Sequence, residues 1–220
     1  MQIIKDIFTI KDIPSLSWSS YKPLNLKPNL STLLYLIFGL ILFGLGETLL
    51  ITSSQGVSPW TVLAQGLSLY LNFSIGLSTF VVSICVLFLW IPLKQKPGIG
   101  TIMNTILISL VLDYSYPYLT KPAELYLQII QCFIGVFLIG LGSGFYLIAN
   151  LGPGSRDGLM TGLQKFTKKP IFLIRTLIEL TAVTAGWYLG GIVGLGTVIF
   201  VLFVGPSVSF GLIIVKYLFK

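Results

Sequence analysis

Three ionisable side chains, Glu47, Arg175 and Glu179, stand inside long apolar runs of this sequence. If such runs cross a bilayer, each charge near its centre costs roughly 2.5–3.5 kcal/mol on insertion scales, so these groups usually face the protein interior and find partners. Arg175 and Glu179 are four residues apart and share a helix face on which they can pair. The pair is interpreted as part of a solute site, as a structural ion pair, or as an Arg175 that reaches the inner surface. Glu47 is interpreted either as a carboxylate that couples protons or substrate, or as a capped or protonated structural group.

The most distinctive loop has the sequence GPGSRDG and covers residues 152–158. Glycines let backbone N–H groups approach a ligand, the following helix start adds partial positive charge, and Arg156 adds a full charge. An anionic group could bind there, with Asp157 beside it. The alternative is a tight turn in which both charged residues lie at the membrane surface. The loop is not a phosphate-binding P-loop, because the Gly-Lys-Ser/Thr signature is absent.

A second loop, GVSPW at residues 56–60, places serine directly before proline. That order predicts a helix start with the Ser58 hydroxyl as its cap, because proline at the first helical position loses no needed donor. The candidates for substrate binding or coupling are therefore Glu47, Ser58, Arg156, Asp157, Arg175 and Glu179.

The sequence offers no familiar catalytic motif. It has no histidine, no GxSxG and no HExxH, so we expect no enzymatic activity, no metal site and no cofactor. Cys85 and Cys132 both lie in apolar runs, where cysteine is usually a small packing residue.

The composition indicates lipid as the solvent of this chain. Hydrophobic residues make up 55% of the 220 positions and charged residues only 10%, whereas a soluble domain carries about 25% charged residues. The net charge of +7 comes from short basic clusters between apolar runs, so it indicates membrane orientation and not nucleic-acid binding.

Six apolar segments are long enough to cross about 30 Å of hydrocarbon as helices. They cover residues 32–52, 74–93, 99–117, 126–149, 171–190 and 194–216. Two shorter segments, 58–72 and 155–168, are predicted to be helices that re-enter the membrane or lie at its surface. The fold class is therefore an all-α integral membrane protein with six transmembrane helices.

The charges predict an orientation with both termini in the cytoplasm of a bacterium, across its inner membrane. In that arrangement every Lys and Arg lies inside except Lys121, which is outside, and Arg175, which is in a span. Residues 1–30 form a cytoplasmic tail, in which residues 1–13 are either a helix on the inner leaflet or a loosely ordered segment.

The sequence resembles itself at an offset of 96 positions, without gaps. Glycines carry most of the matches: Gly39, Gly44, Gly46, Gly56, Gly66, Gly98 and Gly100 recur as Gly135, Gly140, Gly142, Gly152, Gly162, Gly194 and Gly196. Residues 31–125 and 126–220 are thus predicted to be two membrane repeats of three spans each. Because three is odd, the second repeat enters from the opposite side, an inverted arrangement found in many secondary transporters.

Several segments also resemble the YczE group of bacterial membrane proteins, within the YczE/YitT-like set. These segments are FGLGE (43–47), GVSPWTVLAQGL (56–67), PGIGT (97–101), GPGSRDGLMTGL (152–163), IRTLIEL (174–180) and GTVIF (196–200). The resemblance implies a multi-pass protein of the plasma membrane and places Arg156, Asp157, Arg175 and Glu179 at motif positions. The group's pattern has proline before the arginine, where this chain has Ser155.

Two functions fit these observations. The inverted repeat, the broken-helix loops and the buried charges favour a transporter or permease for a small molecule, with an anion as the expected solute. The short loops favour a non-catalytic accessory or scaffold protein that assists another enzyme or complex. Besides the lipid bilayer, the expected partners are an unidentified small molecule and either a further copy of the chain or another protein.

Overall fold

The computed structural model describes residues 13–219, and this part of the chain is helical throughout its regular structure. The first half contains four α-helices and a short 3₁₀ turn, Tyr116–Tyr118. Its helices are α1 (Leu30–Ser53), α2 (Pro59–Leu71), α3 (Ile75–Trp90) and α4 (Ile99–Ser115). The second half contains α5 (Leu125–Ala149), α6 (Ser155–Thr167), α7 (Ile171–Tyr188) and α8 (Leu195–Leu218).

Five of the described helices are long and apolar enough to cross a membrane: α1, α4 with its 3₁₀ extension, α5, α7 and α8. The predicted span 74–93 is shorter than expected, because α3 has only 16 residues. At 1.5 Å per residue it reaches about 24 Å, less than the roughly 30 Å of hydrocarbon. It follows α2 at a bend of 113°, and the bent pair α2–α3 supplies the sixth candidate span.

Helix boundaries recur at the offset of 96 that the glycines indicate. Helices α2, α3 and α4 begin at positions 59, 75 and 99, and α6, α7 and α8 begin at 155, 171 and 195. The left-handed backbone positions recur as well, including Gly56 with φ +102° and Gly152 with φ +112°. A side chain is strained at such φ values, which explains the glycine in both loops.

The two glycine loops each contact the other half of the chain. The N–H of Gly100 donates to the carbonyl of Leu151 at 2.7 Å, and the N–H of Gly196 donates to the carbonyl of Gln55 at 2.7 Å. These are the same contact made twice, with the halves exchanged. Close backbone approach requires glycine here, since a Cβ on Gly98 would lie 2.2 Å from the Leu151 oxygen.

The core lies between α1 and α5, which pack through paired glycines. A Cβ on Gly46 would lie 2.5 Å from the carbonyl oxygen of Gly135, and one on Gly142 would lie 2.4 Å from that of Gly39. These distances confirm that small residues let the two helices approach, as in other membrane helix pairs. In its most apolar stretch α5 is 67% buried, whereas α7 is 17% buried and α8 is 28% buried. Helices α1 and α5 are therefore central, and α7 and α8 are peripheral.

Each short helix packs against the third helix of the other half, so α2 contacts α7 and α6 contacts α3. In the first contact the short helix α2 supplies the larger residue and α7 supplies the glycine. In the second contact the short helix α6 supplies the glycine and α3 supplies the larger residue. The backbone of Val62 lies against Gly186, where a Cβ would be 2.4 Å from the Val62 carbonyl carbon. In the equivalent contact Gly158 faces Trp90, and a Cβ would be 2.0 Å from the indole.

Part of the predicted N-terminal tail packs against the second half. The N–H of Ser20 donates to the carbonyl of Ala149 at 3.0 Å, and the Asn150 amide donates to the carbonyl of Ser20 at 2.9 Å. Trp18 is buried among Tyr35 and Phe219. Residues 1–12, which carry most of the possible surface helix, lie outside the described residues.

Candidate solute-binding site

Glu47 of α1 is buried, with 1% of its surface exposed. The Ser58 hydroxyl lies 3.0 Å and 3.2 Å from its two oxygens, and the Thr61 hydroxyl donates to Oε2 at 2.8 Å. Both donors come from the start of α2, three residues apart, so one helix face presents them together.

The prediction that the Ser58 hydroxyl caps α2 is wrong. Ser58 is the N-cap residue, but its side chain makes no capping bond and contacts Glu47 instead. The hydroxyl is within donating distance of the Glu47 carboxyl oxygens, and its oxygen accepts no backbone N–H from the first turn of α2.

Arg156 connects the second half to this carboxylate. Its Nη1 lies 4.0 Å from Oε1 of Glu47, and its guanidinium carbon lies 5.6 Å from the centre of the Trp60 ring. The contact with Glu47 is an ion pair longer than a hydrogen bond. Within residues 13–219 the guanidinium donates no hydrogen bond, although only 23% of the side chain is exposed. The N–H donors of the Arg156 guanidinium therefore have no acceptor among the described residues.

Asp157 lies beside Arg156 and is oriented by a tyrosine. The Tyr146 hydroxyl donates to Oδ2 of Asp157 at 3.1 Å and accepts the N–H of Gly154 at 2.6 Å. The Oδ1 atom accepts no hydrogen bond from the described residues. Asp157 is exposed, and its exposed surface contributes to the cavity described next.

Arg175 and Glu179 form the predicted pair on α7, with Nε donating to Oε1 at 2.9 Å. Half of the Arg175 side chain is exposed, against 20% of Glu179. The sequence interpretation of a shared helix face is therefore confirmed.

A cavity of about 310 Å³ brings these groups together. Arg156, Asp157, Arg175 and Glu179 line it, while Glu47 lies behind Arg156 and outside the lining. Neutral polar groups add to the same wall: Thr79, Ser83, Asn104, Ser143 and Tyr146. Apolar residues form most of the remainder, among them Phe43, Trp60, Ile108, Ile139, Met160 and Phe200. The cavity can thus hold a small molecule that has both a charged end and an apolar body.

Many lining residues occupy equivalent positions in the two halves. Pairs separated by 96 positions include Phe43 and Ile139, Pro59 and Ser155, Trp60 and Arg156, Thr79 and Arg175, Ser83 and Glu179, and Ile108 and Val204. The cavity therefore lies where the halves meet. Every charge in its lining comes from the second half, and the equivalent positions of the first half are neutral.

Sequence reasoning missed Thr61, Trp60, Tyr146 and Asn104. Thr61 could have been found, because a hydroxyl three residues after Ser58 shares its helix face. Tyr146 lies in an apolar helix that contains other aromatic residues, and Asn104 is a single amide in α4; neither stands out locally. No group of three or more His, Cys, Asp or Glu residues could hold a metal ion within residues 13–219.

Helix count, apolar surfaces and a charged cavity between two similar halves define a multi-pass membrane protein. The model of a family of unknown function (DUF6198) matches residues 30–212, and the chain belongs to that family. The resemblance to YczE-type proteins is confirmed by the relatives.

The chain is 30% identical over 177 residues to the "Uncharacterized membrane protein YczE" of Bacillus subtilis, covering 79% of this chain and 82% of that protein. It is 39% identical over 209 residues to an "Uncharacterized protein" of Haemophilus influenzae, covering 95% of both. The "Uncharacterized protein YyaS" of Bacillus subtilis is 27% identical over 172 residues, covering 76% of this chain and 85% of that protein. No solved structure matches the chain.

Proposed function

We propose that this protein is a transporter of a small molecule in a bacterial plasma membrane, and that the 310 Å³ cavity is its solute site. The observation that carries the proposal is Arg156, a guanidinium that lies at the junction of two similar halves and donates no hydrogen bond to the described residues. Donors without acceptors in a cavity of this size fit an anionic group of a solute.

The inverted arrangement of the halves is the second part of the proposal. Three crossings per half, with both termini in the cytoplasm, place the Gly56 loop outside and the Gly152 loop inside. The reciprocal bonds from Gly100 to Leu151 and from Gly196 to Gln55 support this arrangement, because a two-fold axis in the membrane plane would relate them. Rocking of one half against the other would then open the cavity to each side in turn.

Glu47 has a coupling role in this mechanism. It is the anionic partner of Arg156 and belongs to the other half of the chain. Protonation of Glu47 would weaken its hold on Arg156 and leave the guanidinium to the solute carboxylate or phosphate. The ion pair between the two halves would thus form or break with the protonation of one carboxyl group, as in intramembrane carboxylates that act as proton relays.

The test is solute flux in proteoliposomes of the purified protein, using a panel of small labelled anions and zwitterions. Arg156→Gln and Glu47→Gln are expected to reduce flux at least tenfold, since a charge-assisted contact contributes about 1.5–3 kcal/mol. Lys165→Gln is the matched control: it removes a positive charge from the same helix, is exposed and does not line the cavity.

Flux that Arg156→Gln and Glu47→Gln leave unchanged would contradict the proposed site. If the panel gives no flux and a protein co-purifies stably, dependent on residues 152–169, the accessory function replaces transport.

The topology is tested separately by aqueous thiol labelling in intact cells. Cys85 and Cys132 are first replaced, and single cysteines are introduced at Asn72 and Lys168, which are exposed and 96 positions apart. The inverted arrangement predicts labelling of position 72 from outside and of position 168 only after the membrane is opened. Labelling of both from the same side would disprove it.

A further inference from the structure

We infer that the solute is a zwitterion with an apolar tail, of the chemical class of the α-amino acids, and this inference rests on the proposed function. The carboxylate would bind Arg156, the ammonium would bind the free oxygen of Asp157, and the tail would lie against the apolar wall. Four observations lead to this assignment.

The first observation is the balance of charge in the cavity. Its lining carries two positive groups, Arg156 and Arg175, and two negative groups, Asp157 and Glu179. Glu47 adds a further negative charge directly behind Arg156. A solute with a net negative charge would add to an excess that already exists, and a buried charge without a partner is costly. A zwitterion adds no net charge.

The second observation is that two neighbouring residues have hydrogen-bonding groups without a partner among the described residues. Arg156 donates no hydrogen bond, and Oδ1 of Asp157 accepts none among the described residues. The orientation of Asp157 is fixed through Oδ2 by the Tyr146 hydroxyl, which is itself held by the N–H of Gly154. Both residues line the same cavity, so a donor group and an acceptor atom are available to one solute, as a carboxylate and an ammonium on one carbon require.

The third observation distinguishes the two arginines of the cavity. Arg175 already donates to Glu179 at 2.9 Å, and together they form a neutral pair on α7. The Arg156 contact with Glu47 is longer, at 4.0 Å, and leaves its donors unused. Arg156 is therefore the carboxylate site, and the α7 pair is a neutral part of the wall.

The fourth observation is the apolar part of the cavity lining. Phe43, Ile108 and Phe200 line the cavity, and Trp60 lies against the guanidinium. Such a wall favours a hydrocarbon side chain over a second polar group.

The test compares solutes that differ by one charged group. Three sets are used: alanine with propionate and ethylamine, leucine with 4-methylpentanoate and isoamylamine, and phenylalanine with 3-phenylpropionate and phenethylamine. Binding to the purified full-length protein in nanodiscs is measured by calorimetry, and flux is measured in proteoliposomes. In at least one set the amino acid should bind about tenfold or more tightly than both of its analogues, as expected for the loss of one charge-assisted contact.

Two variants test which residue binds each charged group of the solute. Asp157→Asn keeps the shape of the side chain and should remove the preference for the amino acid over the carboxylate analogue. Arg156→Gln should remove the preference over the amine analogue. Glu124→Gln and Lys165→Gln change exposed charges away from the cavity and should leave both preferences as they are.

The outcomes separate this inference from the proposed function. A carboxylate analogue that binds as tightly as its amino acid in every set overturns the zwitterion and leaves an anion transporter. Flux of some other solute without binding by any of the amino acids also overturns it while transport stands. The absence of flux for every solute in both panels overturns the proposed function itself.

Discussion

Helices α2 and α6 have the same length and occupy equivalent places in the two halves, yet they differ in chemistry. Each has 13 residues, and each is followed directly by a residue with left-handed backbone, Asn72 or Lys168. Helix α2 carries no charge, and its first turns supply Ser58 and Thr61 to Glu47. Helix α6 carries Arg156 and Asp157 at the equivalent end.

The comparison shows that the two halves share their backbone arrangement but differ in their charged side chains. Glycine contacts and helix boundaries recur, because close packing of helices tolerates little change. The charges do not recur: Arg156 stands where the first half has Trp60, and Glu47 stands where the second half has Ser143. One half supplies the arginine and the other supplies its ring and its carboxylate, so the ion pair forms only between halves.

The largest expected effect is on the contact between Gly158 of α6 and Trp90 of α3. Gly158→Ala places a Cβ 2.0 Å from the Trp90 indole, which should destabilise the protein by about 3 kcal/mol and reduce the folded yield. The measurement is the midpoint of unfolding in mixed detergent micelles.

The control for this prediction is a double-mutant cycle with Trp90→Ala. In that background the same glycine substitution should cost less than about 1 kcal/mol, because the clashing ring is gone. An unchanged cost would show that Trp90 is not the obstacle.

The next effect concerns the carboxylate of the first half. Glu47→Ala leaves Arg156 in a mostly buried place without its partner, and breaking such a pair costs about 3 kcal/mol. The equivalent change in the second half, Ser143→Ala, removes only a hydroxyl that bonds its own helix at Ile139. It should cost about 1 kcal/mol or less. Equal losses in thermal unfolding would contradict the asymmetry of the halves.

A smaller effect is expected from Tyr146→Phe. The change removes the hydroxyl that accepts the Gly154 N–H and donates to Asp157, and it should cost about 1–2 kcal/mol. Tyr126→Phe is the control, because Tyr126 is 61% exposed. A change of stability that is the same for both tyrosines would show that the glycine loop does not depend on this hydroxyl.

The smallest effect is expected at the pair on α7. Arg175 is half exposed and its partner is on the same helix, so a double-mutant cycle with Glu179→Gln should give a coupling energy of about 0.5 kcal/mol. The cycle between Glu47 and Arg156 should give a larger value, because that pair is more buried and joins the halves. The opposite order would mean that α7 and not α6 holds the essential charges.

Much of the helical layout could be predicted from local sequence. Long apolar runs predict the spans, and the Ser58-Pro59 pair predicts a helix start that the structure has at Pro59. The i, i+4 spacing of Arg175 and Glu179 predicts their pair, because a helix brings such positions together wherever it lies. The short α3 was not predicted, since hydropathy counts residues 91–93 as apolar while the backbone turns after Trp90.

The site itself depends on contacts that local sequence does not encode. Ser58 was expected to cap its own helix, but a buried carboxylate from α1 takes its hydroxyl. The neighbourhood of Arg156 is likewise made by Trp60 and Glu47 from the other half.

The sequence by itself determined a chain of membrane helices, their approximate ends and the similarity of the two halves, because each of these follows from apolar length and from glycine and proline at fixed positions. Only the tertiary structure decided that Arg156 meets Glu47, that Tyr146 orients Asp157, and that four of the charged residues of the second half share one cavity. The reason is physical: helix formation depends on near neighbours along the chain, whereas a polar cavity forms where distant segments pack and leave space between them.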